Sequence, residues 1–144
     1  MDETQFSIEQ IPPAATLMVR QAELYPKLLL KKLQLEEDED GVHFGLFHQD
    51  KLISVVSCFD KGSGIIQFRK FATLKEFQHQ GFGSALLKYI FAYAEEQKAH
   101  KIWCNARSTA TNFYRKFGMV ETDQKFSKDD IDYIILEKEL NNFI

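Results

Sequence analysis

Apolar and polar positions along this chain switch between a two-residue and a helical period, and the switches mark out its elements. Residues 5–11 (QFSIEQI) read as a first strand, ended by Pro12-Pro13. Proline is tolerated in a first helical turn, so a helix over about 13–22 follows. A second helical stretch is expected at 26–34 (PKLLLKKLQ), and the run from Glu36 to Gly41 reads as an exposed, solvated acidic loop. From 42 the period becomes that of strands: VHFGLFH (42–48), a QDK turn, then LISVVSCF (52–59) predict a hairpin. DKGSG (60–64) leads into a long extended segment, IIQFRKFATL (65–74).

Leu87, Ile90, Phe91 and Ala94 then recur at helical spacing, predicting a helix over about 83–98 with Lys88, Glu95, Glu96 and Lys98 on its other face. KIWCNA (101–106) reads as a short buried strand. A further helix is expected from Ser108, a good N-cap residue, with Ala110, Phe113, Tyr114 and Phe117 at core spacing and Gly118 at its C-terminal cap. DYIILEKEL (132–140) supplies a last strand. The order β-α-α-β-β-β-α-β-α-β-β implies an α/β fold, a mixed central sheet flanked by helices on both faces.

Composition narrows the class of protein. The 144 residues show no repeat, linker or composition break, so 1–144 is expected to form a single domain with its own core. Thirteen phenylalanines suit a packed interior. A net charge of −3 argues against a nucleic-acid partner, which needs a basic face. Cys58 and Cys104 lie far apart in apolar runs, without the spacing of a zinc site, and read as buried free thiols. The acidic start MDETQFSIEQ is unlike a signal peptide, and no run is long enough to cross a membrane. A cytoplasmic location, with no membrane partner and no metal, is the expectation.

The chemistry is concentrated between Phe71 and Ser84. A strand ends, a glycine-containing turn follows, and the turn opens a helix. The first amides of a helix lack intrahelical partners and carry partial positive charge. Gly81 and Gly83 would let an anion approach that backbone closely, which makes the segment a candidate pyrophosphate cradle. It is not a P-loop, for no Lys-Ser or Lys-Thr follows either glycine, and Leu86 stands where a dinucleotide fingerprint needs its third glycine. Gln78-x-x-Gly81-x-Gly83 does match Q/R-x-x-G-x-G/A, and so resembles the coenzyme-A motif of the GNAT acetyltransferases. The stretch from Ala106-Arg107 through Ala110, Phe113-Tyr114-Arg115-Lys116-Phe117-Gly118 and Met119 resembles that family's second signature. The likeness covers about residues 42–140, and 1–41 match only as a strand and two helices.

The resemblance implies acetyl-CoA as acyl donor cosubstrate. It assigns Gln78, His79, Gln80, Gly81, Phe82, Gly83 and Ser84 to the cofactor phosphates, and Phe71, Ala72 and Thr73 to the pantetheine arm. By pattern alone these are turn glycines and strand residues. Tyr114 is by default a core tyrosine, and by resemblance the general acid that protonates the departing thiolate. Asn112 and Asn105 are candidate cofactor contacts or plain surface residues, and Lys116 is an exposed lysine or a phosphate contact. His43 and His48 fall on opposite faces of their strand, and either is a candidate to line a cleft.

Two departures stand out. His79 and Gln80 replace residues often basic in the family, and Gln67 stands where some members carry a base glutamate. The expected activity is acetyl transfer from acetyl-CoA to a primary amine of a small molecule or peptide, by direct attack in a ternary complex. The alternative is a non-catalytic acyl-CoA-binding sensor or interaction module of the same fold. Acceptor, base and acyl-chain range carry no legible motif, and a homodimer stays open.

Overall fold

The structure, a computed structural model, describes residues 5–140. Its strands are β1 (Ser7–Ile11), β2 (Val42–His48), β3 (Lys51–Asp60), β4 (Ile65–Thr73), β5 (Lys101–Arg107), β6 (Val120–Lys128) and β7 (Ile131–Glu139). They form one mixed seven-stranded sheet in the order β1-β2-β3-β4-β5-β7-β6. The α-helices are α1 (Leu17–Glu23), α2 (Phe82–Glu96) and α3 (Thr111–Arg115). Residue contacts divide the chain into two compact units, one comprising the chain up to Phe59 with Arg69–Ile90, the other Asp60–Phe68 with the chain from Phe91.

In the first unit, β2 pairs antiparallel with β1 and β3. The hairpin closes through Gln49-Asp50, both at positive φ (51° and 65°), between the paired His48 and Lys51. That is the two-residue turn whose twist suits a hairpin, here without the usual glycine. Alternation along β2 places helices on both faces. The His43 side meets Ser57, which bonds Arg20 of α1. On the other side, Phe44 packs on Tyr89 of α2 (5.3 Å) and His48 on Phe82 (4.9 Å). The two histidines therefore face opposite ways, as their parity requires. A cluster of Ile11, Val19, Val55 and Ala72 closes the α1 side.

In the second unit, β4 runs parallel to β5 over Ile65↔Lys101 to Gln67↔Trp103, and β7 lies antiparallel between β5 and β6. Leu87, Ile90, Phe91 and Ala94 of α2 are all buried, as their spacing implies, while Lys88, Glu96 and Lys98 are exposed.

Three expectations are corrected. Residues 26–34 form no α-helix, only a 3₁₀ turn at Leu30–Leu33. Its leucines follow no single stripe: Leu33 is buried, whereas Leu28, Leu29 and Leu30 are exposed. The helix expected from Ser108 is a 3₁₀ turn (Ser108–Ala110) leading to the five-residue α3, and Ser108 makes no cap bond because Arg107 and Ala110 occupy the two cap positions. The acidic run is not wholly solvated, for Asp38 is buried.

Gly118 does cap α3. Its φ is +93°, its N–H donates to Arg115 C=O (3.1 Å), and Met119 N–H donates to Tyr114 C=O (3.4 Å). This is a Schellman pair of bonds around a left-handed residue. A Cβ there would meet only the mobile tip of Lys138, so the cost of substitution is in the backbone. Gly118→Ala is expected to lose about 1–2 kcal/mol in thermal unfolding.

Candidate active site

The candidate cofactor residues on β4 and α2 lie in one stretch of the first unit. β4 ends at Phe71-Ala72-Thr73, with Ala72 buried in the core cluster. The Ser54 hydroxyl donates to Ala72 C=O (3.0 Å) and lies 2.8 Å from Thr73 Oγ1, tying this strand end to β3. A 3₁₀ turn, Lys75–Phe77, follows. Gln78 Nε2 then donates back to Thr73 C=O (2.9 Å), and Gln80 Nε2 donates to Glu76 C=O (3.0 Å). Both glutamine side chains thus brace the loop upon itself.

The loop turns into α2 through two left-handed residues, His79 (φ +63°) and Gly81 (φ +90°). The first bond of the helix runs from Ala85 N–H to Gly81 C=O (3.0 Å), so Gly81 is its N-cap and the amides of Phe82, Gly83 and Ser84 precede the ladder. Nothing lies within 4 Å of where a Gly81 Cβ would stand. Gln78, His79, Gln80 and Gly81 are exposed, Gly83 and Ser84 half-buried. Phe82 is the anchor: it is buried and packs on Phe77 (6.3 Å) and His48. The result is a rigid helix start under an open, amide-rich turn that suits an anion.

In the second unit, Tyr114 is 9% exposed, with its ring 5.9 Å from Phe68 of β4 and 5.2 Å from Phe113. Burial above all, with the Cys104 thiol adding and Arg107 opposing, pushes its phenol far above the ordinary tyrosine range. The hydroxyl is therefore protonated at any physiological pH. Asn112 is exposed, its carbonyl taken by Lys116 N–H (3.3 Å). Asn105 and Lys116 are also exposed. Gln67 is buried beside its strand partner Trp103, and its amide cannot serve as a base. Cys58 and Cys104 are free, buried thiols whose pKa values burial raises well above normal. No thiolate nucleophile is available from either.

His43 lines no cleft. It sits in a buried network in the first unit. Arg20 Nη1 donates to Leu33 C=O (2.9 Å) and Asp38 Oδ2 (2.8 Å), and its Nη2 donates to Asp38 Oδ1 (3.0 Å) and Ser57 Oγ (2.8 Å). His43 Nε2 lies 2.8 Å from Asp38 C=O, which can only accept, and Nδ1 lies 2.7 Å from Ser57 Oγ. The Nε2–H tautomer satisfies both contacts. Arg20 Nε is the one buried side-chain polar atom without a partner among the described residues.

No motif in the sequence marks Lys70 of β4. Lys70 adopts φ +55° in mid-strand, is half-buried, and donates to Tyr25 Oη (3.3 Å) with Nζ 4.8 Å from that ring. Beside it, Arg69 pairs with Glu37 (2.6 Å). The signal was available: two adjacent cations inside an apolar strand are unusual.

Known proteins share this sequence family and this fold. A family model described as an acetyltransferase (GNAT) domain matches residues 8–140. The N-acetyltransferase YitI of Bacillus subtilis (strain 168), itself uncharacterised, is 28% identical over 142 residues, covering 92% of this chain and 95% of that one. A solved Lactobacillus plantarum structure shares the fold at TM-score 0.84 and 19% identity, covering 95% of this chain and 99% of the other. A GNAT family acetyltransferase from Elizabethkingia anophelis, solved with acetyl-CoA bound, does so at TM-score 0.73 and 18% identity, covering 95% and 99%. A sheet of this order, the open turn at Gly81 and a match running through nearly the whole chain lead to one conclusion: the chain belongs to the GNAT acetyltransferase family.

Proposed function

We propose that this protein transfers an acetyl group from acetyl-CoA to a primary amine by direct attack within a ternary complex. The observation that carries the reading is the left-handed Gly81 with open space beside it, at the start of the fifteen-residue α2. A pyrophosphate fits there because backbone amides supply the donors, and the exposed His79 and Gln80 leave room for it. Phe71, Ala72 and Thr73 take the pantetheine arm along β4, with Gly81 to Ser84 at the phosphates and Asn112 at the edge. Gln78 and Gln80 serve that site by holding the loop. The cosubstrate supplies an activated acyl thioester. The protein's share is mainly to hold the amine against it, a positioning task, while a β4 amide stabilises charge developing on the acyl oxygen. Tyr114 donates a hydrogen bond to the departing sulfur.

Residues 1–144 work as one catalytic domain on this reading, since the family match runs through both units. A cytoplasmic setting is supported by the two free cysteines. Among the described residues no helix is long and apolar enough to cross a membrane. Gln67 in place of a base glutamate is the observation that favours a non-catalytic acyl-CoA sensor, and turnover of acetyl-CoA with an amine panel decides between the two.

Gly83→Asp tests the site itself. An acidic residue in the first turn of a helix favours the helix by about 0.3–1 kcal/mol, so folding should be kept or improved. The same carboxylate would occupy the anion position and repel phosphate. Calorimetric affinity for acetyl-CoA is expected to fall at least about tenfold, the worth of a charge-assisted hydrogen bond. Unchanged affinity would put the cofactor elsewhere.

A further inference from the structure

We propose that Lys70, held by Tyr25, is the anion-recognising residue of the acceptor site, so that the preferred acceptor is an amine that also carries a carboxylate or phosphate group. The inference rests on the acetyl-transfer reading above, and it names the acceptor class that reading leaves open.

The first observation is conformational. Lys70 holds a left-handed backbone (φ +55°) in the middle of β4, a region an L side chain avoids unless its surroundings impose it. Strain of this kind collects at functional sites. The second is electrostatic. The half-buried ammonium has a phenol oxygen at 3.3 Å and a ring face at 4.8 Å, but no carboxylate among the described residues. The neighbouring cation is different: Arg69 is already neutralised by Glu37. Burial lowers the Lys70 pKa, Tyr25 opposes that, and the charges of Arg69 and Arg20 add to the lowering. Arg20 and Arg69 each have a carboxylate, Asp38 and Glu37, whereas Lys70 has only a phenol oxygen and a ring face among the described residues, which leaves this group of charges short of one anion.

The third observation is position. Lys70 immediately precedes Phe71-Ala72-Thr73. With the phosphates at Gly81–Ser84 and the arm running back along β4 past Thr73, the reactive end of the cosubstrate is directed toward Lys70. One strand residue spans about 3.3 Å, so the acyl group and the ammonium fall within one small molecule's reach of each other. Tyr25 comes from the loop after α1 and Glu37 from the turn before β2, so both flank this strand segment from one connection. An acceptor whose anion lies against Lys70 presents its amino group alongside. A polyamine, lacking an anion, would meet like charge there.

The test is a specificity ratio. Matched pairs differing only in the anion, γ-aminobutyrate against n-butylamine and O-phosphoethanolamine against ethanolamine, are compared by kcat/KM for acetyl-CoA consumption, with spermidine as the cationic extreme. The anionic member of at least one pair is expected to be preferred about 10–100-fold, the range of a charge-assisted hydrogen bond. The pair that shows it tells carboxylate from phosphate. Lys70→Met should bring that preference below about threefold by removing the same bond, while Lys70→Arg should retain most of it. Tyr25→Phe, which removes the hydroxyl and keeps the ring, should weaken it in part and guards against a misfolded Lys70 variant. Neutral partners used as readily as anionic ones, a preference surviving Lys70→Met, or no anionic amine consumed would each overturn the proposal. Acetyl-CoA affinity measured on the same preparations keeps the two readings apart. If acetyl-CoA binds and the anionic preference is missing, only the Lys70 assignment fails. If acetyl-CoA does not bind, the acetyl-transfer reading fails and takes this one with it.

Discussion

Asp38→Ala is expected to cost about 3–5 kcal/mol of folding stability, the loss typical when one partner of a buried ion pair is removed. Asp38 and Arg20 are 3% and 0% exposed and share two hydrogen bonds of 2.8 and 3.0 Å. With the carboxylate gone, a guanidinium whose Nε is already without a partner loses two more acceptors. It is then a buried charge with only Leu33 C=O and Ser57 Oγ to solvate it. Since a domain's whole stability is typically about 5–15 kcal/mol, the variant should unfold at markedly lower urea, with the slope unchanged. The double change Arg20→Leu with Asp38→Leu should cost less than the single one, because no charge is stranded. A double variant as unstable as the sum of its parts would mean the pair is not coupled.

The same carboxylate sets a pH dependence. Burial by itself raises the Asp38 pKa, but the Arg20 bond, the Leu35 amide and the positive charges nearby outweigh it and leave it below its ordinary 3.8. A depressed carboxylate stabilises the fold fully above its unfolded value, and that contribution is lost as pH falls through the folded one. The parent protein should therefore lose stability more steeply below about pH 4 than Asp38→Asn does.

Tyr114→Phe is expected to lower kcat by about 10²-fold, the low end of the range for general acid catalysis. The low end follows from burial. A thiol leaving group has a pKa near about 8.5, far below that of this buried phenol. Outright proton transfer to the sulfur is uphill, so the hydroxyl acts as a hydrogen-bond donor to charge developing on it. The ring itself, packed on Phe68 and Phe113, survives the substitution, so acetyl-CoA affinity and melting temperature should change little. The loss should also be flat from about pH 6 to 9, because a phenol shifted this far upward does not titrate there. Full kcat in the variant, with chemistry limiting turnover, would return Tyr114 to the core and leave the thiolate to water.

Much of the architecture was legible because it depends on short-range pattern. The β2–β3 hairpin, β4, α2 and β5 all bury a face whose period is written in consecutive residues, and such a face has one stable way to be covered. The glycine turn before α2 was legible for a similar reason: Gly81 at a strand-to-helix junction is a local backbone requirement, met at φ +90°. The capping glycine Gly118 belongs to the same class. In each case the residues that specify the feature lie within a few positions of one another.

What the tertiary structure decided lies where a residue's partner is remote in sequence. Nothing in the acidic run distinguishes Asp38 from Glu37 or Glu39, yet Asp38 is buried because Arg20 lies 18 positions earlier, and Arg20 in turn reaches Ser57, 37 positions on. The stretch 26–34 has the composition of a helix, but of its leucines only Leu33 is buried, too little to hold a helix, and short helices without a packed face are marginal in water. Ser108 would cap a helix by propensity, but the chain first makes a 3₁₀ turn and starts α3 three residues later. Lys70 is a lysine in a strand until the fold imposes a left-handed φ and sets Tyr25 against it from 45 positions away. Periodicity specifies which faces must be buried. Which charges meet inside is decided by contacts between distant segments, and these exist only once those faces have come together.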